Sequence, residues 1–445
     1  MSLDADPSFH AAPLASGVPS RGPRAGRGWA RAAVLALLVL VVSAGCSAKT
    51  DRLSSSHACG VPTGAWSRCG GNPLLVGWRP AAESGKYQWT MADPTVLFDE
   101  EEQIWKGWWS SVIVSSSAPG VVDTSLASQE IDVMYAESVD GLQWNVQSEP
   151  ALRSHRDASE WDDTTVETPA VLKVLDAPPE RRYVMIYGGA NRAAYTLLGQ
   201  PGWQLGIAFS ADGKTFARLP AAQSPYAGKA TPFTQIDGLL LLARDVFPGF
   251  TGVASGIIAD PELAQRGDVF HLWFDAAGFD ASGNPVYDAT GKRGAIGVGH
   301  ATSTDLVHWS ISVENPVLPG TQPSVVYDPD LDQYDMWYSQ DTSAEEGTVP
   351  SAIFPTLGFL HSTSTDGVKW TVSTQREFAW DPSLDYEAFG LITGPEVVRH
   401  GDEYRLYYGS WGTHDAPIGS YVFLKNNGGQ VVNGAFQLNI ATRAR

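Results

Sequence analysis

The sequence predicts an all-β chain, a five-bladed β-propeller of four-stranded antiparallel blades whose ring is closed by an N-terminal strand. Three recurrences carry this expectation. A residue–proline pair leading into apolar residues returns five times, as Asp93-Pro94, Thr168-Pro169, Asp260-Pro261, Gln322-Pro323 and Gly394-Pro395. An aromatic-rich run follows each pair, as Ile104–Ser110, Tyr183–Gly188, Val269–Asp275, Tyr334–Ser339 and Tyr404–Ser410. A turn close to Ser-x-Asp-Gly-x-x-Trp returns four times, as Ser138–Trp144, Ser210–Phe216, Ser303–Trp309 and Ser364–Trp370. Self-similarity at such a period signals a repeat architecture.

Within one unit, the proline-led run reads as a loop-to-strand entry, because proline has no N–H to give to a ladder. The second run alternates Tyr, Trp and Val with smaller residues, which suits a half-buried pleated strand. A long variable loop separates it from a third strand, read as Ile131–Ser138, Leu205–Ser210, Ala295–Ser303, Thr356–Ser364 and Phe436–Thr442. The Asp-Gly turn then sends the chain into a fourth strand, since Gly tolerates positive φ and Asp caps its own turn. In the third copy Leu306 replaces that glycine. The fifth unit runs out at Phe436–Arg445 without a fourth strand. Its missing piece is expected at about Ala65–Gly70, because Ala65-Trp66-Ser67 through Asn72-Pro73-Leu74-Leu75 matches His308-Trp309-Ser310 through Asn315-Pro316-Val317-Leu318 at equal spacing. Such a strand would cover two open edges.

The N-terminus reads as a targeting segment. Arg21, Arg24, Arg27 and Arg31 precede the apolar run Ala32–Val42, and Ser43-Ala44-Gly45-Cys46 follows. Basic, apolar and small residues in that order indicate export. The apolar run is short for a membrane span. Small residues before Cys46 resemble a bacterial lipobox, so Cys46 is the expected lipid attachment site and the only expected membrane contact is that anchor. The expected organisation is 1–45 signal, 46–62 Ser-rich tether and 63–445 propeller. Cys59 and Cys69 are the two remaining cysteines; in an oxidising compartment they can pair and pin the closing strand. They fall short of a four-ligand metal set, and no metal or cofactor is expected. The formal charge of -19 excludes a nucleic-acid partner, which needs a basic face.

Topology places the proline-led starts and the long loops on one face, which makes a funnel. Asp93 and Asp260 stand immediately before their prolines, and Glu167 stands two before Pro169. Carboxylates gathered at strand starts around an axis suit glycosidic cleavage: one protonates the leaving oxygen and another attacks or activates water. A third can hold up the acid's pKa by like-charge proximity. Asp93 and Asp260 have an alternative reading as turn-forming caps, and Glu167 as an acceptor for backbone amides. Trp108 and Trp411 are candidate sugar-stacking aromatics at loop mouths. Gln322, His414 and Asp415 are further candidate substrate contacts. Glu396, which follows its proline and by alternation would point away from the residue before it, is a reserve acid.

Residues 63–445 resemble the five-bladed glycoside hydrolases of family 43, arabinanases and β-xylosidases, and their fructan-cleaving relatives of family 32. The Asp-Pro starts, the Tyr-x-x-Trp-Tyr-Ser second strand and the Ser-x-Asp-Gly-x-x-Trp turn carry the resemblance. It implies a carbohydrate substrate, a base at Asp93 and a pKa-setting Asp at Asp260. The family's acid, a Glu two before a proline in the fourth blade, is replaced here by Thr321 beside Gln322. The Glu with that spacing is Glu167, in the second blade. A carboxyl separation of roughly 6.5–9.5 Å would imply inversion, and one of roughly 5–5.5 Å retention. A glycan-binding propeller without turnover and a protein-binding surface platform are the alternatives to an enzyme. No Walker loop, no Ser elbow and no nucleotide or flavin motif is present in the sequence.

Overall fold

The computed structural model describes residues 59–77, 79–115, 130–192, 202–291, 293–340, 357–388, 392–412, 424–425, 431–432 and 435–445. All lie within one compact unit, Leu53–Arg445. The described regular structure is almost wholly β, in several antiparallel sheets.

The strands pair within each sequence repeat. In unit 1, Ala92–Asp99 pairs with Ile104–Ser115, which pairs with Glu130–Ser138, which pairs with Asn145–Val146. Unit 2 runs Thr165–Lys173, Tyr183–Ala190, Gln204–Ser210 and Ala217–Arg218. Unit 3 runs Ser255–Arg266, Val269–Phe279, Ile296–Ser303 and Ser310–Ile311. Unit 4 runs Thr321–Asp328, Gln333–Ser339, Gly358–Ser364 and Thr371–Ala379. Unit 5 runs Ile392–His400, Glu403–Gly412 and Ala435–Ala444, and its outer partner is Ser67–Arg68 from the other end of the sequence. Units 1 and 2 belong to one eleven-stranded sheet, joined by the parallel pair Ile131↔Thr165. The first strands touch one another in order, unit 1 to 2, 2 to 3, 3 to 4, 4 to 5, and 5 back to 1.

Among the described residues the core is divided in the same way, into five apolar clusters that each draw on two neighbouring units. Aromatics of the second strands also reach across to the next unit's turn. The indole N–H of Trp108 donates to the Gly213 carbonyl at 2.8 Å, and that of Trp273 to Gly367 at 2.9 Å. The Tyr407 hydroxyl donates to Gly141 at 3.0 Å. Within each turn the serine Oγ accepts the N–H three residues on, at 2.9 Å from Gly141, Gly213, Leu306 and Gly367 alike. Leu306 adopts φ +67° to do so, an unfavourable conformation for a residue with a Cβ, while its buried side chain joins the core.

The seam uses specific chemistry. Arg68 makes a bidentate pair with Glu387, at 2.7 and 2.8 Å, and the fully buried Glu387 also accepts the Tyr408 hydroxyl at 2.6 Å. Asn72 bridges both backbone groups of Ile440, as Asn315 bridges those of His300. The two asparagines are therefore equivalent, one in the N-terminal segment and one in unit 3. Cys59 and Cys69 are joined by a disulfide beside this strand.

The prolines do not open their strands, contrary to the sequence reading. Each first strand begins before its proline, and each shows a register shift at the proline pair. The residue before proline takes positive φ in every unit: Asp93 +48°, Thr168 +47°, Asp260 +45°, Gln322 +54° and Gly394 +55°. A bulge is the one place inside a sheet that accepts proline, because the missing N–H falls where the ladder is interrupted.

Candidate active site

The five bulges converge. Asp93-Pro94, Thr168-Pro169, Asp260-Pro261, Gln322-Pro323 and Gly394-Pro395 together line one small cavity of about 30 Å³, with Glu262 and Glu396. A chamber of about 300 Å³, lined by the first strands of all five units, continues below and shares those two glutamates.

Side chains stitch the bulges together unit by unit, in two tiers. In the upper tier, the N–H of the residue before proline is accepted by a side chain of the preceding unit. Thr168 N–H donates to Ser110 Oγ at 2.7 Å, Asp260 N–H to Thr168 Oγ1 at 3.2 Å, Gln322 N–H to Asp275 Oδ1 at 3.2 Å, and Gly394 N–H to Gln322 Oε1 at 3.2 Å. At the fifth junction Gly394 offers no side chain. A Cβ there would lie 2.9 Å from Asp93 Cα and 3.0 Å from its Oδ1, so glycine leaves the room that the Asp93 carboxyl occupies. In the lower tier, the residue after proline accepts the N–H two after the next proline. Thr95 Oγ1 takes Val171 N–H at 3.4 Å, Glu262 Oε1 takes Val325 at 3.2 Å, Ser324 Oγ takes Val397 at 2.8 Å, and Glu396 Oε1 takes Val96 at 2.9 Å.

Asp93, Glu167 and Asp260 are partly buried and electrostatically coupled. The Asp93 carboxyl is pushed up to about 6, chiefly by burial, and its hydrogen bond with Ser110 opposes the rise. Glu167 is pushed up to about 8, first by burial and then by the charge of Asp93, while a hydrogen bond from Trp203 works the other way. Asp260 is held well above the usual carboxylate range by burial, then by Asp275, Asp93 and Glu167. Loss of bulk water disfavours the charged form of each, and each neighbouring anion adds to that penalty. Gly188, the cross-strand partner of Glu167, leaves room for the Thr168 hydroxyl, which a Cβ there would meet at 2.9 Å.

Other expected contacts fare differently. Trp108 is wholly buried against Tyr135 and Phe216, and its N–H is committed to Gly213, so it has no face for a sugar. The sequence cue failed because a second-strand indole is also what clasps the neighbouring unit. Trp411 is partly exposed at the end of its strand and packs edge-on against Phe436 at 5.0 Å. The Gln322 carbonyl oxygen is occupied by three donors, Thr393 Oγ1 at 2.8 Å, Ser339 Oγ at 3.2 Å and Gly394 N–H. Pro395 and Glu396 line the same cavity, so Glu396 does not point away from the residue before it; the bulge breaks the expected alternation. Its oxygens are taken by Val96 N–H, by Thr95 Oγ1 at 3.2 Å and by Ser324 Oγ at 3.5 Å, which makes it a structural clamp. His414, Asp415 and Cys46 lie outside the described residues.

One acid escaped the sequence reading. Asp275 ends the aromatic run of unit 3 and is hydrogen-bonded to Asp260. In the observed register its place is held by Ser110 in unit 1 and Ser339 in unit 4. Gly188 and Gly409 hold it in units 2 and 5, so an acid where the other units carry serine or glycine was the available signal. Among the described residues no group of three or more His, Cys, Asp or Glu is arranged to hold a metal ion.

The sequence matches no family model and no curated protein. Solved structures share its fold. A complex of BT0996 with RGII superposes with a TM-score of 0.53 at 16% identity, over 83% of this protein and 91% of that one. A structure described as a glycoside hydrolase gives 0.52 at 15% identity, over 83% and 91%. Zg3597, a family 117 glycoside hydrolase of the marine bacterium Zobellia galactanivorans, gives 0.50 at 13% identity, over 85% and 90%.

Proposed function

We propose that this chain is a five-bladed β-propeller, closed through Ser67–Arg68, that hydrolyses glycosidic bonds in a poly- or oligosaccharide. The observation that carries the reading is the meeting of Asp93 and Asp260 in one small cavity, with Glu167 close enough to feel the charge of Asp93. The fold shared with glycoside hydrolases supports it. Asp93, the lower of the two titrating groups, is ionised near neutral pH and serves as base. Glu167, kept protonated by burial and by Asp93, serves as general acid. Asp260 is the third carboxyl of the site. Export with a lipid anchor at Cys46 belongs to the same proposal and rests on the basic, apolar and small-residue order before it.

Thr321 and Gln322, at the fourth-unit place where the family resemblance calls for a Glu, favour a second reading in which the same funnel binds glycan without turnover. Purified protein is incubated with a panel of plant and microbial polysaccharides and reducing ends are measured. Release that Asp93→Asn abolishes supports the hydrolase. Retention on a glycan array with no release from the bound glycan supports the binding module.

A further inference from the structure

We infer that Asp275 is a positioning residue for the proposed hydrolysis: it fixes the one proton of an Asp260–Asp275 carboxyl pair on Asp260, so that Asp260 meets the substrate as a neutral group. The inference rests on the glycosidase reading of this site. It begins from the backbone. Asp275 is the cross-strand partner of Ala259, and the register shift that follows carries Asp260 out of the ladder and into the cavity. The two carboxyls are hydrogen-bonded to each other, which requires one proton between them.

Unit 4 decides where that proton sits. The Thr321 hydroxyl donates to Asp275 Oδ2, and Gln322 N–H donates to Oδ1 at 3.2 Å. A carboxyl with a donor on each oxygen is held as an acceptor, which is the ionised role. Asp260 therefore gives its O–H to Asp275, and its second oxygen remains an acceptor facing the cavity, suited to a sugar hydroxyl. The groups facing Asp260 are Asp275, Asp93 and Glu167, all acidic. Those acting on Asp275 are Asp260, Thr321 and Gln322. Keeping the pair's single charge on Asp275 removes it from direct interaction with Asp93 and Glu167. Asp260 then does not act as a charged tuner, and the like-charge effect on Glu167 comes from Asp93.

The test compares Asp275→Asn and Asp260→Asn by the position of the two limbs of the pH–kcat/KM profile, with rate level set aside. Asp275→Asn frees Asp260 to ionise beside Asp93 and Glu167, and both limbs should move up by about half a pH unit or more. Asp260→Asn copies the neutral, donating state, and the limbs should stay in place. Unmoved limbs in Asp275→Asn, or limbs that fall in Asp260→Asn, overturn the inference. The carboxyl ¹³C titration of Asp93 in protein labelled at aspartate reads the same shift without turnover. It keeps the test decisive if the wild type releases no sugar, an outcome that would sink the glycosidase reading alone. Should Asp275→Asn not fold, the Asp260→Asn comparison decides.

Discussion

Glu396 separates clamp from catalyst, and two substitutions suffice. Its carboxyl is buried, and its oxygens receive Val96 N–H at 2.9 Å, Thr95 Oγ1 and Ser324 Oγ. Glu396→Ala strands the N–H of Val96, itself buried, at a cost of about 1–3 kcal/mol. One buried methylene, Cγ, adds about 0.8 kcal/mol. Against this, burial pushes the carboxyl up to about 8, so deleting it removes a group that is poorly solvated when charged. The balance is a loss of about 2 kcal/mol, or about 2–3 °C in Tm for a domain of this size. Glu396→Gln keeps an amide oxygen for Val96 and Thr95 and copies the uncharged carboxyl that burial favours. It should match or slightly exceed the wild-type Tm and retain hydrolysis within a few-fold. Thermal scans and reducing-sugar assays on both variants give the readout. A Glu396→Gln protein of native stability with hydrolysis reduced more than about a hundredfold would show an acid at work, and the clamp assignment would be refuted.

Hydrolysis should follow a bell between limbs near about 6 and about 8, because Asp93 must be ionised and Glu167 protonated; Asp93→Asn should lower kcat by about 10²–10⁴. The same raised carboxyls bind more protons folded than unfolded between about pH 4 and pH 8, so their contribution to stability falls as pH rises through that window, and Asp93→Asn should flatten the decline in a pH series of Tm. Gly394→Ala should reduce activity more than it reduces Tm, since its Cβ would press on Asp93 Cα at 2.9 Å from a backbone at φ +55°; equal rates in both proteins would contradict this. Arg68→Ala leaves Glu387 buried without its cation and should cost about 3–5 kcal/mol by chemical denaturation, whereas a loss under 1 kcal/mol would mean that the seam is held elsewhere.

Much of the scaffold was legible because it repeats. Five proline pairs, five aromatic runs and four serine turns set strand order, and the Trp66–Pro73 match located the outer partner of the last unit. Local chemistry suffices for this, since turn residues and alternation act over a few positions. Asp93 and Asp260 stood out for the same reason, as acids at matched places in a periodic pattern, and Glu167 as an acid one place before the matching Thr168. Trp108 misled because periodicity marks a position without saying whether it faces a neighbour or solvent.

What the chain alone determined is the unit: its strands, its turns and which residues recur at each proline. Only tertiary structure decided how the units meet. Positive φ before each of the five bulge prolines, the two tiers of side chains that catch the next unit's N–H groups, and the commitment of Glu396 and Gln322 to those tiers all involve partners tens to hundreds of residues apart. Charge states followed the same rule. Asp260 and Asp275 share a proton because a bulge brings them together in a space stripped of bulk water, and neither burial nor a cross-strand register is written at any single position.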